Sequence, residues 1–192
     1  MPGAHNDEVL RKAAVGYQPL PSRLTTIGAV GGVAFVDDSL STNVLPTLAA
    51  LDAFPGRRIA LIVGGHDRGI DYAPLAAGIL TRQAPTCVLT LPDSGPRIRA
   101  EIETAQAAAT TRATAQAQAA AQAQAQTGVA ATTVTDCADL EAAVATGFGW
   151  ARPDGIVLLS PAAPSFGRFR DYRDRSEAFA RAMHTIPSPP AE

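Results

Sequence analysis

Two uninterrupted apolar runs, Ile59–Val63 (IALIV) and Ile156–Leu159 (IVLL), constrain this chain more than any other feature. Strands built of such runs have no polar face to give to water and must be covered on both sides. Shorter or mixed strand-like runs lie at Leu24–Ala29, Val33–Val36, Thr86–Leu91 and about Ala131–Thr135. Helical patterns fall between and around them: Val44–Phe54, Ala73–Arg82, a helix starting near Pro96, Ala138–Ala151 and a closing amphipathic stretch, Arg168–Met183. Alternation of this kind predicts an α/β domain with a six-stranded, mostly parallel sheet and helices on both faces. Gly31–Gly32 separates the first two runs, a hairpin signal that makes Leu24–Ala29 an antiparallel edge strand.

The remainder of the chain bounds what it can be. Its 192 residues suffice for one domain with a core of its own. With 46% hydrophobic residues, 18% charged and a net charge of −2, it lacks the basic stripe that a nucleic-acid partner requires. Met1–Ala4 begins no signal peptide, and no apolar run approaches the ~20 residues needed to cross a bilayer, so neither membrane nor export is expected and the cytoplasm is the predicted location. Cys87 and Cys137 form no CxxC pair, which fits a reduced compartment, and His5, His66 and His184 have no ligand-like spacing, so no metal site is expected. Asn6–Ala14 is weakly helical, and Gln18–Arg23 (QPLPSR) is a proline-stiffened linker. Residues 105–127 are almost entirely Ala, Gln and Thr: good helix formers with no apolar stripe, expected as a solvated extension of the preceding helix, with partial disorder as the alternative.

Polar clusters follow three of the strands. Val33–Val36 runs into DDSLSTN at 37–43, Ile59–Val63 into GGHDRGID at 64–71, and Ile156–Leu159 into SPAAPSF at 160–166. In open α/β sheets ligands bind beyond the carboxyl ends of the strands, so three such clusters mark a site. A cap for the helix at Val44 needs only one oxygen acceptor, from Asp38, Ser39, Ser41 or Thr42, and leaves the other polar residues unexplained. The single lysine is Lys12, and no GxxxxGK[ST] loop exists, so the chain cannot grip ATP phosphates as a P-loop ATPase does. No GxGxxG follows a strand, no GxSxG elbow is present, and Ser160-Pro161 stands where a phosphorylation receiver would need a lysine.

Taken in order, PLPSR at 19–23, DDSLSTN at 37–43, VGGHDRGIDY at 63–72 and LLSPAAPSFGRFRDY at 158–172 resemble the C-terminal domain of the Mur ligases. Within that family the resemblance is to the branch that adds glutamate to UDP-N-acetylmuramoyl-L-alanine in peptidoglycan synthesis. The resemblance implies a Rossmann-like domain over 19–186 carrying the insert at 105–127, a remnant or linker of a central domain at 1–18, and a disordered tail at 187–192. It also implies partner domains: an N-terminal one for the UDP sugar and a central ATPase that binds most of the ATP and Mg²⁺, without which this chain alone should be inactive. In such enzymes ATP phosphorylates the alanine carboxylate and the glutamate amine attacks the acyl phosphate.

Carried over by position, Arg23 and Asp38 would face the nucleotide, and Thr42, Arg68, Ser165, Phe166 and Tyr172 would surround glutamate. Arg68 stands in place of a lysine and Tyr172 in place of another aromatic residue. Asn6, in His5-Asn6, resembles an HN pair that ends the family's central domain, and its role is left open. Leu40 departs from the usual DDSKATN, replacing a cation. An altered motif of this kind suggests a preference for L-glutamate, with D-glutamate as the close alternative. A stand-alone binding module of the same fold is the other reading, although a start beside an HN pair and a linker is what a cut piece would show.

Overall fold

A computed structural model describes residues 20–119 and 131–187. The strands are β1 (Thr25–Val30), β2 (Val33–Asp37), β3 (Ile59–Val63), β4 (Thr86–Thr90), β5 (Thr132–Asp136) and β6 (Ile156–Leu159). The helices are α1 (Val44–Asp52), α2 (Ala73–Leu80), α3 (Gly95–Ala119), α4 (Leu140–Ala151) and α5 (Tyr172–His184). One six-stranded sheet runs in the order β1-β2-β6-β3-β4-β5. Only the β1–β2 pair is antiparallel. The expected α/β architecture with an antiparallel edge hairpin is therefore the observed one.

The sequence explains the hairpin and the layers. Gly31 and Gly32 turn with φ of 52° and 84°, and a Cβ on Gly32 would lie 2.5 Å from the Pro153 carbonyl oxygen. Only glycine fits there. Strand residues then alternate between two cores. Ile59, Leu61, Val63, Ile156 and Leu158 face α1, α2 and α3, meeting Leu51, Leu75, Ile79, Ile98 and Ile102. Ala60, Ile62, Val157 and Leu159 face α4 and α5, meeting Leu140, Val144, Phe179 and Met183. On that second face the Phe35 ring sits 6.3 Å from Phe148 and 6.0 Å from Phe179.

Most element ends lie within two residues of the sequence pattern, and α5 does not. The closing helix begins at Tyr172, four residues later than Arg168, because the Asp171 carboxylate accepts from Arg173 N at 2.8 Å and Asp174 N at 2.9 Å and so caps it there. The cap of α1 is Asn43, whose side chain accepts from Val44 N at 2.7 Å, and not Asp38, Ser39, Ser41 or Thr42. In α3, Ile98 and Ile102 are buried, and beyond Ala107 the helix runs into solvent with Thr110, Thr111 and Thr114 donating back to carbonyls one turn earlier. The expected helical extension is thus seen as far as Ala119, with residues 110–114 exposed. The rest of the insert to 127, the Asn6–Ala14 helix, Asn6 itself, the segment 1–18 and residues 188–192 of the tail lie outside the described residues. Among the described residues no helix is long and apolar enough to cross a membrane.

Candidate functional site

Insertion of β6 between β2 and β3 makes neighbours of the three strand ends that carry polar loops. Their backbones are then sewn together. Asp38 N donates to Leu159 O at 2.8 Å, Gly64 N to Pro161 O at 2.8 Å, and His66 N to Pro164 O at 2.9 Å. The β3 and β6 loops approach so closely that a Cβ on Gly65 would stand 2.4 Å from the Pro164 carbonyl oxygen. A fourth loop, after β4, joins them: Ser94 N donates to Gly65 O at 3.0 Å, and Gly65 N donates to Ser94 Oγ at 3.1 Å.

The two carboxylates at the end of β2 point into this junction and are only 1% and 3% exposed. Asp37 accepts from Ser39 N at 3.0 Å and from the Ser176 hydroxyl of α5. Asp38 accepts from Leu24 N at 3.1 Å, from Ser160 Oγ at 2.7 Å and from the Ser41 hydroxyl. Asp38 therefore ties the start of β1, the β2 loop and the end of β6 to one another. Burial pushes the Asp38 carboxyl above its ordinary 3.8, while the Ser41, Ser160 and Leu24 donors and the charge of Arg23 pull it partway back. Ser160 lies in turn within 3.0 Å of Thr47 Oγ1 on α1.

The residues singled out from the sequence stand around this buried knot. Arg23 is exposed, between Ser22 and Leu24, whose φ values of 60° and 47° are left-handed. Thr42 and Arg68 are exposed, Leu40 and Tyr172 are half-buried, Ser165 is 5% exposed and Phe166 is 55% exposed. All belong to the loops or helix start on the carboxyl rim of the sheet. Among the described residues no hydrogen bond joins two of their side chains to each other. Arg173 lies with its guanidinium carbon 5.4 Å from the centre of the Tyr172 ring. A cavity of about 190 Å³, lined by residues that include Leu91, Leu140, Arg168 and Phe169, opens beyond the end of β4 and takes in none of these candidates.

Two further properties of the rim are independent of any motif. Ser22, Leu24, Asp93 and Ala162 are the non-glycine residues with positive φ among those described, and all four lie in loops at this edge. Such strain, about 1–3 kcal/mol each, gathers where function needs it. Leu20, Leu24, Leu45 and Phe166, the large apolar side chains most open to solvent among the described residues, lie along the same edge. Sequence reasoning did not single out Ser160 Oγ, Ser176 or Arg175. The first two are ordinary serines in sequence, and Arg175 falls at one position of a charged helix, RDYRDRSE, where nothing distinguishes it from its exposed neighbours.

Comparison with known proteins agrees with this architecture. Residues 22–163 match the family model described as "Mur ligase, glutamate ligase domain". A "UDP-N-acetylmuramoyl-L-alanine--L-glutamate ligase" of a Micromonospora strain is 41% identical over 184 residues, covering 96% of this chain and 35% of that protein. A protein of the same name from Xanthomonas oryzae pv. oryzae is 39% identical over 174 residues, covering 91% of this chain and 33% of its own length. A murein peptide ligase from Psychrobacter arcticus shares the fold with a TM-score of 0.55 at 12% identity, over 93% of this chain and 33% of that one. The chain spans about a third of the length of the relatives it matches.

Proposed function

This chain belongs to the glutamate-ligase domain family of the Mur ligases, and from that premise we propose that it is the C-terminal domain of an ATP-dependent ligase joining L-glutamate to UDP-N-acetylmuramoyl-L-alanine. The observation that carries this reading is the meeting of the loops after β2, β3 and β6 on one rim. In this reading Thr42, Arg68, Ser165, Phe166 and Tyr172, all on that rim, would surround the incoming amino acid. Arg68 presents an exposed planar cation suited to a carboxylate, and Ser165 a hydroxyl at the mouth of the buried knot. Arg23 offers its charge on the nucleotide side. The Asp38 carboxylate, already occupied by three donors, holds the Leu24 backbone beside it and thereby fixes where Arg23 stands.

Acyl-phosphate chemistry requires two anionic reactants to be aligned and water to be excluded, so a domain of this kind contributes by position and charge. The exposed apolar residues along the rim suit a surface that closes against N-terminal and central domains of a longer ligase. Among the described residues no group of three or more His, Cys, Asp or Glu side chains could hold a metal ion. ATP and Mg²⁺ would be gripped mainly by a partner domain of the longer ligase. Support for L-glutamate comes from the names of the relatives and from Leu40, which stands where the resembling motif carries lysine. Joining the chain to its upstream domains and supplying UDP-N-acetylmuramoyl-L-alanine, ATP and either enantiomer tests the reading. Amide product with L-glutamate is expected; product with D-glutamate alone would overturn the stereochemistry, and none with either would overturn the function.

A further inference from the structure

Arg175 is fully buried, with 0% of its surface exposed, in the second turn of α5. A guanidinium in such a place costs several kcal/mol unless its N–H groups are satisfied and its charge is balanced. Its donors go to loop carbonyls. Nη2 donates to Ser39 O of the β2 loop at 2.9 Å, and Nη1 donates to Ala163 O of the β6 loop at 3.1 Å. The third loop is in reach as well, since a Cβ on Gly65 would come within 3.2 Å of Nη1. Asp37 supplies the balancing charge, and the next helix residue, Ser176, donates to that same carboxylate. Burial lowers the guanidinium to about 10, so it remains protonated at neutral pH. Nε has no partner among the described residues, a cost of about 1–3 kcal/mol that the fold carries.

We infer that Arg175 is the positioning residue of the rim: from inside α5 it clamps the β2 and β6 loops against the β3 loop and so sets the spacing between Thr42, Ser165 and Arg68 without itself touching substrate. A residue serving only the core would be better replaced by an apolar one, because a buried cation bonded to neutral carbonyls gains little stability. Two donors forking onto two different loops fix their separation, which a single-point cation such as lysine cannot do. The helix adds a second grip through Ser176 and Asp37, so α5 holds both loops from one rigid element.

Hydrogen exchange on the chain as it stands tests the clamp independently of any activity. In Arg175→Lys, the amides of Leu40, Ser41 and His66 should exchange roughly tenfold to a hundredfold faster, the effect of losing one charged hydrogen bond. Amides of β3 and β4 should keep their rates. Uniform acceleration throughout the sheet, or unchanged loop amides, would overturn the inference. Should Arg175→Lys fail to fold, Ser176→Ala serves instead, with faster exchange confined to Ser39–Ser41 expected and no local change refuting it. The consequence for glutamate rests on the function proposed above and is read separately. In the ligase carrying this domain, Arg175→Lys should raise KM for glutamate about tenfold or more while KM for ATP holds. Equal loss in both would count against positioning, whereas an inactive wild-type ligase would count only against the proposed function.

Discussion

Replacing Asp38 separates the two forces that act on its carboxylate. Three donors converge on it: Leu24 N, Ser41 Oγ and Ser160 Oγ. In Asp38→Ala they are not equally bereft. Leu24 is 36% exposed and can turn to water, and Ser160 has Thr47 Oγ1 at 3.0 Å as another partner. Ser41, only 2% exposed, has none. One buried hydroxyl left unmatched costs about 1–3 kcal/mol, which is the loss expected at neutral pH. In Asp38→Asn the amide oxygen keeps Leu24 N, and both serine hydroxyls can rotate to accept from the NH₂ group, so the loss should stay within about 1 kcal/mol. The pH dependence discriminates further. Because burial raises the folded carboxyl above 3.8, the native state binds more protons than the unfolded one between 3.8 and that higher value. Stability of the wild type should therefore fall as pH rises through this window, by at most ~1.4 kcal/mol per pH unit, and level off above it. The asparagine variant lacks this term and should gain on the wild type over the same window. Urea unfolding of both proteins followed by circular dichroism from acid to neutral pH measures the gap. A gap that closes the other way, with the wild type gaining as pH rises, would mean that the hydrogen bonds outweigh burial and would refute the reasoning.

Other perturbations probe separate parts of the rim and its supports. Gly65→Ala would drive a Cβ to 2.4 Å from the Pro164 carbonyl oxygen and should cost about 1–3 kcal/mol in thermal unfolding, with the His66 amide losing protection. Arg82 donates to Leu51 O at 2.7 Å, Arg57 O at 3.0 Å and Thr86 Oγ1 at 3.1 Å, holding the end of α1 to β4; Arg82→Met should cost about 1–3 kcal/mol by denaturant titration. Phe166→Ala removes a ring that is 55% exposed, so stability should stay within about 0.5 kcal/mol while the glutamate requirement of the assembled ligase rises; unchanged kinetics would remove Phe166 from the site.

How legible each feature was in sequence depends on how local its cause is. IALIV and IVLL announced buried strands because five and four consecutive apolar residues leave no solvent face, and both are fully buried. The paired glycines announced the hairpin because positive φ is a single-residue property. The start of α5 was misplaced since Arg168–Asp171 is as polar as the helix after it, and only the geometry of Asp171 shows which carboxylate caps. Strand order could not be read from spacing: β6 is last in the chain and third in the sheet, so the union of the β2, β3 and β6 loops is a long-range fact. Arg175 stayed hidden for the same reason. Its partners, Ser39 and Ala163, lie 136 and 12 residues away, and no local pattern tells a buried guanidinium from an exposed one.

The division of labour on the rim follows from that burial pattern. Asp37, Asp38, Ser160 and Arg175 are at most 3% exposed and their polar groups are largely engaged with one another's loops, so they hold the scaffold still. Arg23, Thr42 and Arg68, which the proposed function assigns to ligands, are exposed, and each sits within a few residues of a buried anchor. A rigid interior with exposed ends lets binding energy go into aligning reactants, because little ordering entropy is left to lose when the ligand arrives. Leu40 fits this division. It is half-buried, and its backbone N–H donates to Ser22 O at 3.0 Å, so what position 40 keeps is the link between the β2 loop and the Arg23 turn. With an apolar side chain there, the β2 loop at 37–43 carries no cation of its own, and any positive charge it meets must come from neighbouring elements. If the proposed site holds glutamate, a β2 loop without a lysine leaves the carboxylates of that amino acid to the charges of other loops, and this is the physical ground on which the identity of residue 40 could bear on which enantiomer is accepted.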